Sequence, residues 1–283
     1  MKHFLQEVQL YLRGNILVSA SLCTVGMLIL IAVAAPLIAP YPEDSELALH
    51  LENKLAAPSF SHPFGTDEMG RDLFSRVIYG TRLSLLLALV IIIISVSTGS
   101  AYGLISGYAG GRIDAIMMRI CEVFLSFPSL LLSIAIAAIL GPSLSNTTFS
   151  IALAWWPWFA RIVRNETLII RERGFIEAAR TMNVSGSVIL VRHVLRNALP
   201  VIISQASISF GSIILSAASL SFLGLGVQPP APEWGLLIST GKSYFLNSWW
   251  YVTFPGIFIF ITVVAFSFIG DGFRDFFDPK VRD

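Results

Sequence analysis

The stretch GLLISTGKS, residues 235–243, carries the glycines, lysine and hydroxyl of a phosphate-binding loop, in which backbone N–H groups cradle a polyphosphate and the lysine reaches its outer oxygens. The spacing does not fit: five residues rather than four separate Gly235 from Gly241, and no β-strand pattern precedes them. A second candidate, HPFGTDEMGRDLFSR at 62–76, gathers Asp67, Glu68 and Asp72 around Arg71 and Arg76 and could pass for a carboxylate site. It lacks the repeated Asp and closing Glu of a calcium loop. The expected reading is a structural brace, with turns at Pro63, Gly65 and Gly70 and local pairing of Asp67, Arg71 and Asp72. Arg119 and Glu122, three apart on one helical face, interrupt an apolar run, where an ionisable group is a functional candidate. Both lie near the end of that run, so a snorkelling or structural pair is favoured. Cys23 and Cys121 fall inside apolar runs and offer neither a disulfide frame nor a metal cluster. His3, His50, His62 and His193 all lie outside the apolar runs, with no Ser/His or metal-ligand set at depth. No catalytic residue, metal or cofactor is expected, and an intramembrane enzyme is set aside.

The elements around these residues are set by composition. Of 283 residues, 55% are hydrophobic and only 13% charged, too apolar for a soluble domain of this size. The expectation is an all-α integral membrane protein in a lipid bilayer. A net charge of +1 excludes a polybasic surface for nucleic acid. Residues 1–15 place Phe4, Leu5, Val8, Tyr11 and Leu12 at helical spacing opposite Lys2, Gln6, Gln9 and Arg13, an interfacial amphipathic helix. Spans are expected at 16–38, 83–102, 115–140 (kinked by Pro128), 147–163, 201–225 and 249–268, making six transmembrane helices. The run at 16–38 contains Ala32-Val33-Ala34, which mimics a signal-peptidase site. It exceeds the roughly 7–15 residues of a signal core and is expected to be retained. Between the spans, 41–80 is acidic and is placed outside, while 141–146 is an uncharged outer turn. Arg161, Arg164, Arg171, Arg173, Arg180, Arg192 and Arg196 face only Glu166, Glu172 and Glu177, so the central loop, and with it both termini, is placed in the cytoplasm. Trp155, Trp156 and Trp158 around Pro157 read as packing and interface anchors rather than a substrate stack.

The central loop, GFIEAARTMNVSGSVILVRHVLRNALP at 174–200, has structure of its own. Glu177, Ala178, Ala179 and Arg180 favour a helix, with the acid where a helix N-terminus prefers negative charge. Asn183 tolerates the left-handed region and predicts an end near Met182. Ser185 or Ser187 can cap a second helix, running through Val188, Ile189, Val191 and Leu195 to Pro200. Helix, turn and helix make either a rigid knob that a soluble partner grips or an amphipathic loop packed on the membrane face; the residues alone leave both open. The span at 201–225 carries Ser204, Gln205, Ser207, Ser212 and Ser216, which either line an aqueous path or let helices approach closely.

The loop resembles the coupling loop with the Glu-Ala-Ala motif of bacterial ATP-binding-cassette importer permeases, through Glu177, Ala178, Ala179, His193, Asn197, Ala198, Leu199 and Pro200. Asn183 stands where that family has Gly. GTDEMGRD at 65–72, FLGLGVQPPAPEWG at 222–235 and GDGFRDFFDPK at 270–280 resemble further signatures of its dipeptide, oligopeptide and nickel branch, in the family's order. They bring in Gly65, Thr66, Asp67, Gly70, Arg71, Asp72, Gly270, Asp271, Arg274, Asp275 and Pro279, while Ser267 departs from the family's Asn. The resemblance implies a type I importer fold. Residues 1–80 would hold the amphipathic helix, first span and outer loop, and 81–283 a five-helix transport domain with its coupling loop at about 166–199. It implies no nucleotide site on this chain. The partners it implies are a paralogous permease in a heterodimer, two ATPases gripping Glu177, Ala178, Ala179, Arg180, Asn183 and Ser185, and an outer solute-binding protein. The cargo is expected to be di- or oligopeptide, moved by alternating access across a bacterial inner membrane, with nickel or a metal chelate as the alternative. An ion-coupled secondary transporter would need ionisable groups at mid-membrane and internal repeats, neither of which is evident.

Overall fold

A computed structural model describes residues 11, 12 and 14–277, so the amphipathic helix expected at 1–15 lies almost wholly outside the described residues, as does Pro279. Among the described residues the chain is helical, with one isolated backbone bridge between Thr66 and Asp72. The helices are α1 (Ile16–Ile38), α2 (Leu73–Ala109), α3 (Gly111–Leu125), α4 (Ser129–Leu140), α5 (Leu144–Arg171), α6 (Gly174–Thr181), α7 (Gly186–Phe222), α8 (Trp234–Gly241) and α9 (Trp250–Phe277). In α7 the stretch Ile189–Leu195 is wound as a π-helix.

Four of these, α1, α2, α7 and α9, are long and apolar enough to cross a membrane, and the bent pair α3–α4 makes a fifth. The expected third span is not one kinked helix. The helix is broken at Ser126–Pro128, where proline lacks the N–H for the preceding turn and Pro128 itself leaves helical dihedrals at ψ 127°, and the halves meet at 81°. The expected fourth span is the middle of α5, where Asn146, Thr147 and Thr148 at one end and Arg161, Arg164 and Arg171 towards the other dilute the apolar run. Pro200 was expected to stop the loop helix; instead α7 runs through it, directly after the π-wound turns.

The bundle is packed around a small-residue stripe. Gly99, Gly103 and Gly107 recur every four residues on one face of α2, and an added Cβ would lie 2.4 Å from the Trp156 carbonyl oxygen, 2.3 Å from that of Ala160 and 2.8 Å from Thr167 Cβ, all on α5. Backbones this close gain dispersion contacts that no larger residue permits. Gly103→Val is therefore expected to push α2 and α5 apart and to lower the amount of folded protein in membranes several-fold, while Gly14→Val, in open space, leaves it unchanged; immunoblotting of membrane fractions reads the difference. On the other side α9 packs on α7, with Phe210 stacked on Phe266 at 4.0 Å and the Ser204 hydroxyl donating to the Gly270 carbonyl at 3.0 Å. The first span, α1, sits at the margin: Met27, Leu30, Val33 and Leu37 are exposed, while Ser21, Leu28 and Ala35 are buried where it packs on α2 and α9, with Val18 against Gly272.

Candidate coupling knob, brace and cavity

The loop knob is built from both sides of α6. Ile176 and Ala179 turn inward and are buried with Ile170, Ile189, Val194 and Ala198, while Glu177, Ala178, Arg180 and Thr181 face outward and are exposed. The acid stands in the first turn and Arg180 in the last, each complementing the helix dipole. Asn183 has φ +57°, and the Val184 N–H donates to the Ala179 carbonyl at 3.1 Å while the Asn183 N–H donates to Arg180 at 2.9 Å. This is the pair of bonds that closes a helix on a left-handed residue, with Val184 packing back against the helix, so Asn183 does here what glycine does elsewhere. Ser185 occupies the cap position of α7 but makes no side-chain cap bond; its hydroxyl lies 3.5 Å from that of Ser187. The Arg180 guanidinium rests over the Tyr108 ring at 5.5 Å, tying the knob to the end of α2. Glu177 makes no ion pair among the described residues, and its carboxylate is presented outward.

The acidic stretch at 62–76 is a buried brace. Asp67 accepts from Arg71 Nε and Arg76 Nη1, both at 2.7 Å, and from the backbone N–H groups of Met69 at 2.8 Å and Arg71 at 2.9 Å. Asp72 caps α2 through the Ser75 N–H and holds the His62 imidazole at 3.0 Å. Gly70, at φ +78°, lies against His50, whose carbonyl an added Cβ would overlap. Gly65 and Thr66 close the turn, with the Thr66 N–H donating to Ala56 at 3.0 Å and the Trp250 indole donating to the Thr66 carbonyl at 3.3 Å. Of the expected local pairs, Asp67–Arg71 forms, while Asp72 turns to His62 and the first turn of α2 instead of joining Arg71; the reach to Arg76, Trp250 and the Pro230 carbonyl, which accepts from Arg76 at 3.1 Å, was not visible.

The phosphate-loop mimic is mostly helix: residues 235–241 lie in α8, with Glu233 capping it through the N–H groups of Gly235 at 3.0 Å and Leu236 at 2.8 Å. Burial pushes the Glu233 carboxyl above its ordinary range, against those bonds and hydroxyls from Ser221 and Ser84 that pull it down.

The residues suggested for a path divide. Gln205 and Ser212 line a cavity of about 450 Å³, together with Ser209, Trp155, Trp158 and Arg161. Ser204 and Ser216 are buried, Ser204 bonded to Gly270 and Ser216 to the Ser212 carbonyl of its own helix, and the half-buried Ser207 bonds the Ile203 carbonyl. Gln205 and Ser204 also border a second cavity of about 650 Å³, with Glu166, Arg173, Asn197 and Arg274. Asp271 and Asp275 are exposed at the end of α9, and Gly270 is where α9 meets Ile208 of α7. Arg119 and Glu122 do pair, at 3.0 Å, with both side chains exposed.

A further clamp had no forecast. Asp114, just after the Gly110–Gly111 turn, holds the Arg164 guanidinium through both carboxylate oxygens and accepts from the Ser106 hydroxyl at 2.5 Å. Arg171 donates to the Gly107 carbonyl at 3.1 Å. These fasten α5 to the α2–α3 turn, beside the knob. Fifty residues separate Asp114 from Arg164, so only the excess of arginine on α5 hinted that an acid was needed.

Comparison with known proteins shows the family. Residues 99–283 match the family described as binding-protein-dependent transport system inner membrane component, and 3–58 match the N-terminal transmembrane domain of oligopeptide transport permease C. The chain is 44% identical over 269 residues to a probable D,D-dipeptide transport system permease of Escherichia coli K12, covering 95% of this chain and 89% of that relative. It is 44% identical to a dipeptide transport system permease of Alkalihalophilus pseudofirmus (96% and 88% covered) and 40% to a glutathione transport system permease of Pectobacterium atrosepticum (96% and 89%). In fold it is similar to a chain of the inward-facing MetNI methionine ABC transporter, with TM-score 0.61, 20% identity, and 73% and 98% of the two chains covered. The chain therefore belongs to the inner-membrane components of binding-protein-dependent transport systems, the permease subunits of ATP-binding-cassette importers, which work with separate ATPases, a substrate-binding protein and a paired permease.

Proposed function

We propose that this permease imports di- or oligopeptides, as one half of a heterodimer with a paralogous permease, and that α6 is where one of two ATPase subunits grips it. The observation that carries the coupling role is the two-sided character of α6. A partner that moves the exposed Glu177–Ala178–Arg180 face must also move Ile176 and Ala179, and these are packed against Ile170 of α5 and Val194 and Ala198 of α7. The Asp114–Arg164 clamp passes the displacement on to the α2–α3 turn. ATP-driven approach of two ATPases would thus rock whole spans between inward-open and outward-open states, each stabilised by different contacts. The peptide cargo rests on the relatives' dipeptide and glutathione transport. In the same reading both termini and the knob face the cytoplasm, α5 completes a set of six spans, residues 81–283 form the transport unit, and 1–80 add an accessory span and the outer brace.

The test is reconstitution. Proteoliposomes holding both permeases and the ATPases, supplied with the binding protein, are expected to accumulate radiolabelled alanyl-alanine only when ATP reaches the ATPase face. Uptake without hydrolysable ATP would end the coupling reading, and ATP-driven uptake of a nickel chelate in place of the dipeptide would end the peptide one.

A further inference from the structure

We infer that Arg161 is a binding point for the terminal carboxylate of the transported peptide; this rests on the peptide reading above. Along α5 the next arginine, Arg164, is matched by Asp114, and Arg171 is held by the Gly107 carbonyl and Glu172. The brace arginines share Asp67, and Arg119 is paired with Glu122. Arg161 makes no ion pair among the described residues; its guanidinium lies over the Trp158 ring, 5.0 Å from the centroid. It is also no loop residue, since ten positions of helix separate it from the end of α5 at Arg171, roughly 15 Å at the ordinary rise. Its side chain is exposed, two residues inside the inner end of the span expected at 147–163, so the charge is open to a ligand.

Its surroundings point to an anionic ligand. Arg161 and Leu125 line two cavities at once, the 450 Å³ one with Gln205, Ser209 and Ser212, and a neighbour of about 440 Å³ with Glu122 and Asn165, so the guanidinium stands at their junction. Glu122, the acid of the second cavity, is already engaged by Arg119. The first cavity carries no acidic side chain, and the buried Trp155 indole N–H there has no acceptor. A carboxylate supplies what this wall lacks. Guanidinium binds it through two parallel N–H bonds, and the aromatic platform holds the plane of the fork without neutralising it. Such a point discriminates by charge and leaves side chains free, which suits a carrier of varied peptides.

The experiment compares two probes, alanyl-alanine and its C-terminal amide, binding to the permease–ATPase complex in nanodiscs without the binding protein. In parallel, alanyl-alanine uptake is measured with the complete transporter. The wild-type complex is expected to bind the free acid at least about tenfold more tightly than the amide. Arg161→Gln should bring the acid to the level of the amide, leave the amide unchanged and leave the thermal midpoint of the complex unmoved; Arg161→Lys should recover part of the preference. Equal binding of acid and amide by wild type, no binding by a complex whose transporter does take up the dipeptide, or a preference that survives Arg161→Gln would each overturn the assignment. Failure of the complete transporter to take up the dipeptide at all would instead remove the peptide reading, and the assignment with it.

Discussion

A transporter carrying Glu177→Arg is expected to take up substrate on the order of 100-fold more slowly than wild type, the loss that reversing one central anchor of a docking interface produces. Glu177 is exposed, makes no ion pair among the described residues, and stands next to Ile176 and two residues before Ala179, the side chains that pin α6 to the bundle. Reversing its charge therefore changes what a partner meets while leaving the packing intact. The amount of protein in the membrane and its thermal midpoint should stay at wild-type values, and Glu177→Asp should restore much of the uptake. Ala178→Trp attacks the same surface by volume and should act alike. Ala179→Trp differs: Ala179 is only 8% exposed, so added bulk overpacks the cluster and should lower stability together with uptake. The pair of phenotypes is the measurement. Uptake by Glu177→Arg within about twofold of wild type would remove α6 as the point of grip, and loss of stability in that variant would show that the residue serves packing.

The knob was legible because its determinants are local. Helix formers, an acid in the first turn and an asparagine that accepts a left-handed turn all fall within ten residues, and each acts on its near neighbours. The glycine stripe of α2 was legible in principle, since Gly99, Gly103 and Gly107 keep a strict four-residue spacing, but spacing names a close-packed face without naming the helix that fills it. The break at Ser126–Pro128 shows where local reading stops: proline dictates that the helix is interrupted, and whether the interruption becomes a bend or an 81° corner depends on what the two halves pack against. The Asp114–Arg164 clamp and the contact of Trp250 with Thr66 join residues 50 and 184 positions apart, so they follow from the assembled bundle and from no pattern along the chain. The same holds for Arg161, whose lack of an ion pair stands out only once Arg164 and Arg171 of the same helix have been matched to their partners.

Removing the Asp67 carboxylate is expected to be the most destabilising single change outside the apolar core. The group is fully buried and is the only acid bound to both Arg71 and Arg76 among the described residues, themselves at 4% and 3% exposure. A buried ion cluster need not stabilise a fold relative to an apolar one, since desolvation offsets much of the attraction. Breaking it from one side is another matter. Asp67→Ala would leave two guanidinium groups and the N–H groups of Met69 and Arg71 without their acceptor, and the loss of one partner from a buried pair costs about 3–5 kcal/mol. The brace links the outer loop to the start of α2, to the Pro230 carbonyl and, through Thr66, to Trp250 of α9, so the damage should spread to the ends of two spans. Heating the detergent-purified complex while following its loss of near-ultraviolet circular dichroism should show a markedly lower midpoint for Asp67→Ala. Asp67→Asn should fall between, because one oxygen acceptor survives without the charge. The triple variant with Arg71→Leu and Arg76→Leu should recover part of the loss, since no uncompensated cation then remains. An unchanged midpoint for Asp67→Ala would mean that the two arginines find water or other acceptors in its place, and that the loop is held by its turns and aromatic contacts alone.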